Sequence, residues 1–363
     1  MKAVGYREAL PIDNPQSLLD LELPDPRPGA RDLLVEVRAV SVNPVDTKVR
    51  RQTAPPPGEV QVLGWDASGV VLKTGSEVSL FSPGDKVWYA GSKLRPGTNA
   101  QLHLVDERLV GRRPQSLGDA QAAALPLTSI TAWELLFERL EIQPGKGHSE
   151  ASLLIIGAAG GVGSILTQLA RRLTGVRVIG TASRPETEQW VRSLGAQDVI
   201  DHRRPLSEEL RRIGIPHVTH VASLTATDQH FAEIVKALAP QGRLALIDDP
   251  QPIDVRQLKQ KSLSLHWELM FTRSMFETDD MIAQHRLLTE MAELVDAGVI
   301  RTTLADHFGA INAILEPYEL TEGDDYHTVS VNDLAEIQDI EDLEVEGLEG
   351  EILKRWQQIA RRR

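Results

Sequence analysis

The sequence predicts an α/β protein in two parts, a β-rich segment of short strands followed by a doubly wound parallel sheet, with an acidic tail behind them. Three observations carry this prediction. Residues 1 to about 123 hold short apolar runs broken by Pro and Gly clusters. From about 124 to 266, strand-length apolar runs alternate with helix-length stretches, the texture of parallel β-α units. At the head of that second part the run Leu153-Leu154-Ile155-Ile156 stops at a glycine cluster, Gly157 to Gly163, which opens into a helix-like segment at 165–173.

In the first part Val35-Glu36-Val37-Arg38-Ala39-Val40 alternates and Gly69-Val70-Val71-Leu72 continues the pattern. Lys86-Val87-Trp88-Tyr89 follows the turn Ser82-Pro83-Gly84-Asp85, and the set suggests a barrel-like or partly open sheet. In the second part strands are expected at 153–156, 176–181, 217–222 and 243–247, with a short one near Val199-Ile200. A further strand at 262–267 completes a six-stranded parallel sheet covered by helices on both faces. Residues 281–296 place Ile282, Leu287, Leu288, Met291, Leu294 and Val295 at helical spacing. No long internal repeat is present.

A length of 363 residues fits two domains, or one large domain with an appendage, and 41% hydrophobic residues suffice for real cores. No apolar run approaches the ~18–20 residues of a membrane span. The N-terminus carries no apolar signal-peptide core. There is no cysteine, which excludes disulfides and thiolate zinc sites and fits a cytoplasmic protein. A net charge of −13 argues against general nucleic-acid binding. That charge is uneven, because residues 314–363 hold fourteen acids and five bases.

The glycine cluster has a chemical reading. After a strand, glycines permit a tight turn, let the backbone approach a pyrophosphate, and allow close packing of helix against strand. The helix start then offers N–H groups and partial positive charge to that pyrophosphate. The match is Ala158-x-Gly160-x-x-Gly163, with alanine at the first position, so Gly160, Gly161, Val162 and Gly163 are candidate cofactor residues. The competing reading is a plain tight turn. The next strand ends in Thr181-Ala182-Ser183-Arg184-Pro185, about 20 residues on. An NAD site places an acid there for the ribose 2′-hydroxyl, whereas an arginine suits the 2′-phosphate of NADP. Ser183 and Arg184 therefore favour NADPH over NADH. The same two residues also suit a helix start before Pro185, and the two roles are compatible.

The motifs Ser41-Val42-Asn43-Pro44-Val45-Asp46, Gly64-Trp65-Asp66-Ala67-Ser68-Gly69, Pro83-Gly84-Asp85-Lys86-Val87 and Ala124–Trp133 accompany the glycine turn and Leu194-Gly195-Ala196. Together, over residues 1 to about 313, they resemble the medium-chain dehydrogenase/reductase superfamily. The resemblance is to its zinc-free quinone oxidoreductases and the so-called zinc-type alcohol dehydrogenase-like proteins. It implies a GroES-like catalytic domain at 1–123, to which 267–313 return, and a Rossmann NADPH-binding domain at 124–266. An active site in the cleft between them is implied too, with the divergent acidic tail at 314–363. Zinc-dependent members carry Cys near Asn43 and a His-Glu pair where Trp65-Asp66 stand. A catalytic zinc needs three protein ligands around an open position. His202 and His217-x-x-His220 do not supply them, so no metal is expected.

Without a Lewis acid, the reaction must be one whose developing negative charge hydrogen bonds can hold. Hydride transfer to a quinone or an α,β-unsaturated carbonyl qualifies. Candidate catalytic residues are Asn43, Thr131 and Tyr89. Asn43 donates to the nicotinamide ribose or to the substrate carbonyl, or else makes an Asn-Pro turn. Thr131 touches nicotinamide or ribose, or serves a helix start. Tyr89 lines the pocket or gives a proton, against plain core packing. Asp46 and Asp66 orient loops. His202 falls where relatives put a ring near the adenosine end, with a surface histidine as the alternative. Ser223, Leu224 and Ile247 lie at carboxyl ends of parallel strands, where ligands bind. Met270 and Phe271 make an apolar lid or a buried anchor.

The last fifty residues leave the resemblance. Residues 326–331 offer a substitute strand, and Leu348, Ile352, Leu353, Trp356 and Ile359 a helical stripe, or else the segment is a disordered acidic tail. The leading expectation is an NADPH-dependent, zinc-independent reductase of a small quinone or enone, in the cytoplasm, with a homodimer as its candidate assembly and neither nucleic acid nor membrane as partner. The alternative is an NADPH-binding structural or sensor protein with little turnover.

Overall fold

The computed structural model describes residues 1–145 and 150–305. The strand and helix expected at 326–331 and 348–359 lie outside the described residues. Two compact units are present. The first comprises Met1–Ile130 with the described residues from Met270 onward, and the second Thr131–Leu269.

The first unit is built from β1 (Lys2–Tyr6), β2 (Leu19–Glu22), β3 (Asp32–Ser41), β4 (Gln61–Val62), β5 (Asp66–Thr74), β6 (Lys86–Ala90), β7 (Leu102–Asp106) and β8 (Val110–Arg112). They form a three-stranded sheet ordered β2-β1-β4 and a five-stranded antiparallel sheet ordered β7-β3-β5-β6-β8. The ten residues of β3 hold this sheet together, pairing with β7 on one side and with β5 on the other. Leu33, Leu34, Val35, Val71, Val87, Trp88 and Val110 are buried, and because neighbours such as Val87 and Trp88 point to opposite faces, β3 and β6 are covered in part on both sides. Two helices, α1 (Pro44–Gln52) and α2 (Asp119–Ala123), flank the sheet. Asn43 caps α1 with Pro44 at its first turn, where the missing proline N–H costs nothing.

The chain passes from the first unit to the second along α3 (Pro126–Trp133), which runs on into a π-helical turn at Glu134–Arg139. The second unit then follows as β9 (Ser152–Ile156), α4 (Gly161–Leu173), β10 (Arg177–Thr181), α5 (Pro185–Ser193), β11 (Asp198–Ile200) and α6 (Leu206–Arg212). Next come β12 (Val218–Ser223), α7 (Thr227–Ala237), β13 (Leu238–Leu246) and β14 (Ser264–Trp267). All six strands are parallel in the order β11-β10-β9-β12-β13-β14. That order reverses direction beside β9, which makes the crevice at its carboxyl end a ligand position. The central strand β9 is buried along its whole length, as expected for a strand covered on both faces. β13 begins five residues before the expected Arg243. Leu238 pairs with Val218, and the pairing then shifts at Gln241-Gly242, where Gln241 takes φ +65°.

Back in the first unit, α8 (Thr272–Phe276) precedes α9 (Ile282–Asp296). α9 buries Leu287, Leu288, Met291, Leu294 and Val295, leaving Ile282 only partly covered. Gln284 Nε2 donates to the carbonyls of Ala90 and Leu109, at 2.9 and 3.0 Å, tying this helix to the five-stranded sheet. Among the described residues no helix is long and apolar enough to cross a membrane.

Candidate active site

In the second unit the glycine turn lies at the carboxyl end of β9. Gly157 takes φ +81°, a left-handed conformation that favours glycine, and so it begins the turn one residue before the position expected from the motif. Its N–H donates to Thr181 Oγ1 at 3.1 Å, a contact with the end of β10 that sequence spacing did not reveal. Gly160 N–H closes the turn on Gly157 O at 3.1 Å, and Gly160 then caps α4. At Gly163 a Cβ would lie 2.4 Å from Gly157 O and 2.7 Å from Ala158 C, so the helix approaches the turn more closely than any side chain allows. Gly160, Gly161, Val162 and Gly163 thus stand at the start of a 13-residue helix, whose first N–H groups lack intrahelical acceptors. This geometry fits a dinucleotide pyrophosphate.

The remaining cofactor candidates lie along the same edge of the sheet. Ser183 and Arg184 follow β10, with Arg184 exposed and capping α5 before Pro185. No acid precedes Glu186 there. His202 follows β11, the neighbouring strand, and its ring meets that of His230 edge-on at 6.2 Å. Leu224 and Ile247 follow β12 and β13, each partly exposed. Ser223 behaves differently from the expectation. It is fully buried, and because Thr227 Oγ1 donates to Asp248 Oδ1 at 2.6 Å, Ser223 Oγ must donate to Thr227 at 2.7 Å. Its hydroxyl is spent inside the protein, where it braces the ends of β12 and β13. Asp248 sits at the strand end the sequence pointed to, whereas Thr227 is framework that the sequence did not disclose. So is Trp190, whose Nε1–H donates to Ser164 Oγ at 2.9 Å and pins α5 to α4.

In the first unit Asn43 belongs to a buried network. Its Nδ2 donates to Asp66 Oδ2 at 2.8 Å, while Asp66 Oδ1 accepts Leu127 N–H at 2.7 Å at the start of α3. Asp46 accepts the N–H groups of Asn43 and Gly64, at 2.8 and 3.0 Å. The two aspartates therefore organise loops, as expected from the sequence. Burial pushes Asp66 up to about 8 and Asp46 up to about 7, against the hydrogen bonds that favour their ionised forms. The charge of Asp46 adds to the rise at Asp66.

Tyr89 is not where a proton donor belongs. It is 0% exposed, and burial raises its hydroxyl well above the usual range. Its OH lies 3.0 Å from His103 Nδ1, and His103 Nε2 lies 3.0 Å from Pro96 O. A carbonyl only accepts, so Nε2 carries the ring proton and Tyr89 donates to Nδ1. Burial holds His103 neutral, lowered to about 4. Tyr89 is thus packed in the core of the first unit with its hydroxyl on His103. Thr131 is buried on α3, one turn before the π-helical segment, and belongs to the second unit. Met270 and Phe271 are both buried, the anchor alternative, with Phe271 edge-on to Trp65 at 5.6 Å between centroids. The Trp65 indole N–H is buried with no acceptor among the described residues, an arrangement that costs about 1–3 kcal/mol if nothing ever meets it.

The chain contains no cysteine, and among the described residues no three His, Asp or Glu side chains converge to hold a metal ion. His217 is exposed, and His220 Nδ1 lies 2.8 Å from Thr219 Oγ1.

A parallel sheet in this order with a glycine turn beside its reversal is the architecture of a dinucleotide-binding domain, here on a chain with a separate β-rich unit. Two family models match, the alcohol dehydrogenase GroES-like domain over residues 29–118 and the zinc-binding dehydrogenase over 161–284. The chain is 37% identical over 326 residues to a zinc-type alcohol dehydrogenase-like protein of Staphylococcus epidermidis, covering 89% of this chain and 96% of that one. It is similar to the crystal structure of a presumptive zinc-dependent alcohol dehydrogenase protein from Rhizobium etli CFN 42. That match has 56% identity and a TM-score of 0.83, covering 87% and 93% of the two chains. It is also similar to Escherichia coli quinone oxidoreductase complexed with NADPH, with 26% identity and a TM-score of 0.71 over 85% and 91%. The chain belongs to the medium-chain dehydrogenase/reductase superfamily, in its quinone oxidoreductase-like branch, and is an oxidoreductase.

Proposed function

We propose that this oxidoreductase uses NADPH to reduce a small quinone or α,β-unsaturated carbonyl, without zinc. The observation that carries the reading is the carboxyl edge of the six-stranded sheet. There Gly163 brings the α4 N-terminus within pyrophosphate reach, and the next strand ends in Ser183-Arg184 with no acid. The likeness to an NADPH-bound quinone oxidoreductase supports it.

When bound, the reduced nicotinamide supplies the hydride. The chain's own residues bind and orient. The N–H groups at the start of α4 face the pyrophosphate, and the Arg184 guanidinium, a planar fork of donors, pairs with the 2′-phosphate. His202 stands by the adenosine end, and Leu224 and Ile247 give apolar walls at the strand ends. Asn43 keeps one amide proton on Asp66, which fixes the plane of the amide and aims the other. The Thr131 hydroxyl provides a further polar contact for nicotinamide or ribose. A quinone or enone oxygen gaining negative charge can be held by such preorganised donors. Simple alcohol oxidation would need a metal or a base for its alkoxide, whereas both oxygens of Asp66 are engaged by Asn43 and Leu127.

The test is NADPH consumption by the purified protein with quinones and cyclic enones, with and without a strong zinc chelator. Turnover unaffected by chelator is expected. Activity lost to chelator and restored by zinc would overturn the metal-free part. Tight NADPH binding without turnover would favour a structural or sensing role.

A further inference from the structure

Within the second unit, two histidine rings meet although the strand order keeps their elements apart. β11 and β12 are separated by β10 and β9, three strand spacings or about 14 Å. His202 follows β11, and His230 lies in the first turn of α7, which follows β12. Yet their rings stand edge to face with centroids 6.2 Å apart. The N-terminal turn of α6 holds them there, because Ser207 N–H and Ser207 Oγ both donate to Glu233 Oε2 on α7, at 3.1 and 2.7 Å. Ser207 follows His202 closely in the chain, and Glu233 lies one helical turn beyond His230, so this joint draws the two rings together. Both histidines are partly exposed. Arg184 emerges beside them, since Thr181 of β10 pairs with Ile200 of β11 and the two strands run on to Arg184 and His202 at the same carboxyl edge. The other charges around the pair are largely matched. Arg203 pairs with Asp201 at 2.8 Å and Arg204 with Glu209 at 3.6 Å, while Asp228 opens α7 and Glu186 opens α5. Burial holds His230 below the ordinary histidine range, and the charge of His202 lowers it further, against the pull of Asp228.

We propose that the His202–His230 pair takes up one proton from solvent when NADPH binds and, with Arg184, holds the adenosine 2′-phosphate. This rests on the NADPH reading above and makes His230 a specificity-determining residue. A phosphate monoester carries about −1.5 to −2 at pH 7, more than the single charge of Arg184 offsets. Without that anion the two rings do not both charge, because neighbouring imidazoliums repel. The phosphate reverses the balance for one ring, since an opposite charge nearby favours the protonated form. A histidine whose pKa is higher with NADPH bound than without it strengthens binding at the lower pH. That gain is lost as pH rises through the bound-state value. NADH has no 2′-phosphate, so its affinity lacks this slope. Between pH 8 and 6.5 the preference for NADPH over NADH therefore sharpens as pH falls.

The first measurement needs no variant. The full chain is titrated calorimetrically with NADPH and with NADH at pH 7, in PIPES and again in Tris, whose ionisation heats differ. The dependence of the binding heat on the buffer gives the protons taken up. Uptake of roughly 0.5–1 proton per NADPH is expected, and close to none per NADH. The phosphate can only release protons on meeting Arg184, because a nearby cation lowers its pKa, so net uptake reports the protein. His230→Asn should reduce the uptake. The double variant His202→Asn with His230→Asn should abolish it, weaken NADPH roughly 10-fold at pH 6.5 and leave NADH unchanged. The ratio of the two affinities should then be flat from pH 6.5 to 8. NADPH bound in preference to NADH with no proton taken up would overturn the proposal and leave the Arg184 reading standing. Uptake that persists in the double variant would overturn it as well, and equal binding of the two cofactors would overturn both.

Discussion

Replacing Gly163 with alanine tests how the glycine turn works, and Gly160→Ala is the matched control. At Gly163 the added Cβ would sit 2.4 Å from the Gly157 carbonyl oxygen and 2.7 Å from Ala158 C, all backbone atoms of the turn. Ordinary contact needs about 1 Å more, and neither partner is a side chain that can rotate away. The N-terminus of α4 must therefore back off from β9. That movement strains Gly160 N–H to Gly157 O at 3.1 Å and Ser164 N–H to Gly160 O at 2.8 Å, each worth about 1 kcal/mol. Overpacking adds about 1–3 kcal/mol. The sum, roughly 3–5 kcal/mol, corresponds to about 6–20 °C of melting temperature for a unit of this size. The same movement withdraws the helix N–H groups from the pyrophosphate, and losing one charge-assisted bond at about 1.5–3 kcal/mol weakens NADPH by roughly 10- to 150-fold. At Gly160 the Cβ would lie 3.4 Å from Gly157 O, with φ at −73°, so alanine fits. Gly160→Ala should melt and bind like the parent. Scanning calorimetry and NADPH titration decide the matter. A Gly163→Ala protein that matches Gly160→Ala in both would refute the close-packing account.

Three further outcomes are expected. Arg184→Ala should weaken NADPH by roughly 10- to 150-fold, from the loss of a charge-assisted phosphate contact of about 1.5–3 kcal/mol, while leaving NADH nearly unchanged; equal weakening of both would contradict the 2′-phosphate assignment. Asp66 binds its proton more tightly folded than unfolded, so the stability this gives is complete below the ordinary carboxylate range and is lost as pH rises through about 8. Between pH 6.5 and 8, above the range in which His103 and His220 charge, melting should fall by the equivalent of roughly 1–2 kcal/mol, and Asp66→Asn should remove most of that slope. Tyr89→Phe strands the buried His103 Nδ1 and should cost about 1–3 kcal/mol of stability with kcat unchanged, and a large loss of kcat in a protein that still folds would restore Tyr89 as a proton donor.

The sequence by itself determined the elements whose signal is local. Continuous apolar runs of strand length, alternating with helices, are enough to state a parallel sheet, because only strands covered on both faces are apolar throughout. The glycine cluster after Ile156 located the turn, since few other residues accept a left-handed φ or a helix packed against backbone. The absence of cysteine, which excludes disulfides and thiolate metal sites, was legible without coordinates, because that is a matter of residue type. What only the tertiary structure decided are the partnerships between distant segments. Tyr89 and Asn43 look alike in sequence, two polar residues beside β strands, yet one is sealed against His103 and the other bound to Asp66, 23 residues away. Ser223 turned inward because Asp248, a strand later, commands Thr227. The orphaned N–H of Trp65 exists only as the lack of a neighbour. Hydrogen-bond partners far apart in the chain are set by how the strands stack, and no period or spacing in the sequence encodes that stacking residue by residue.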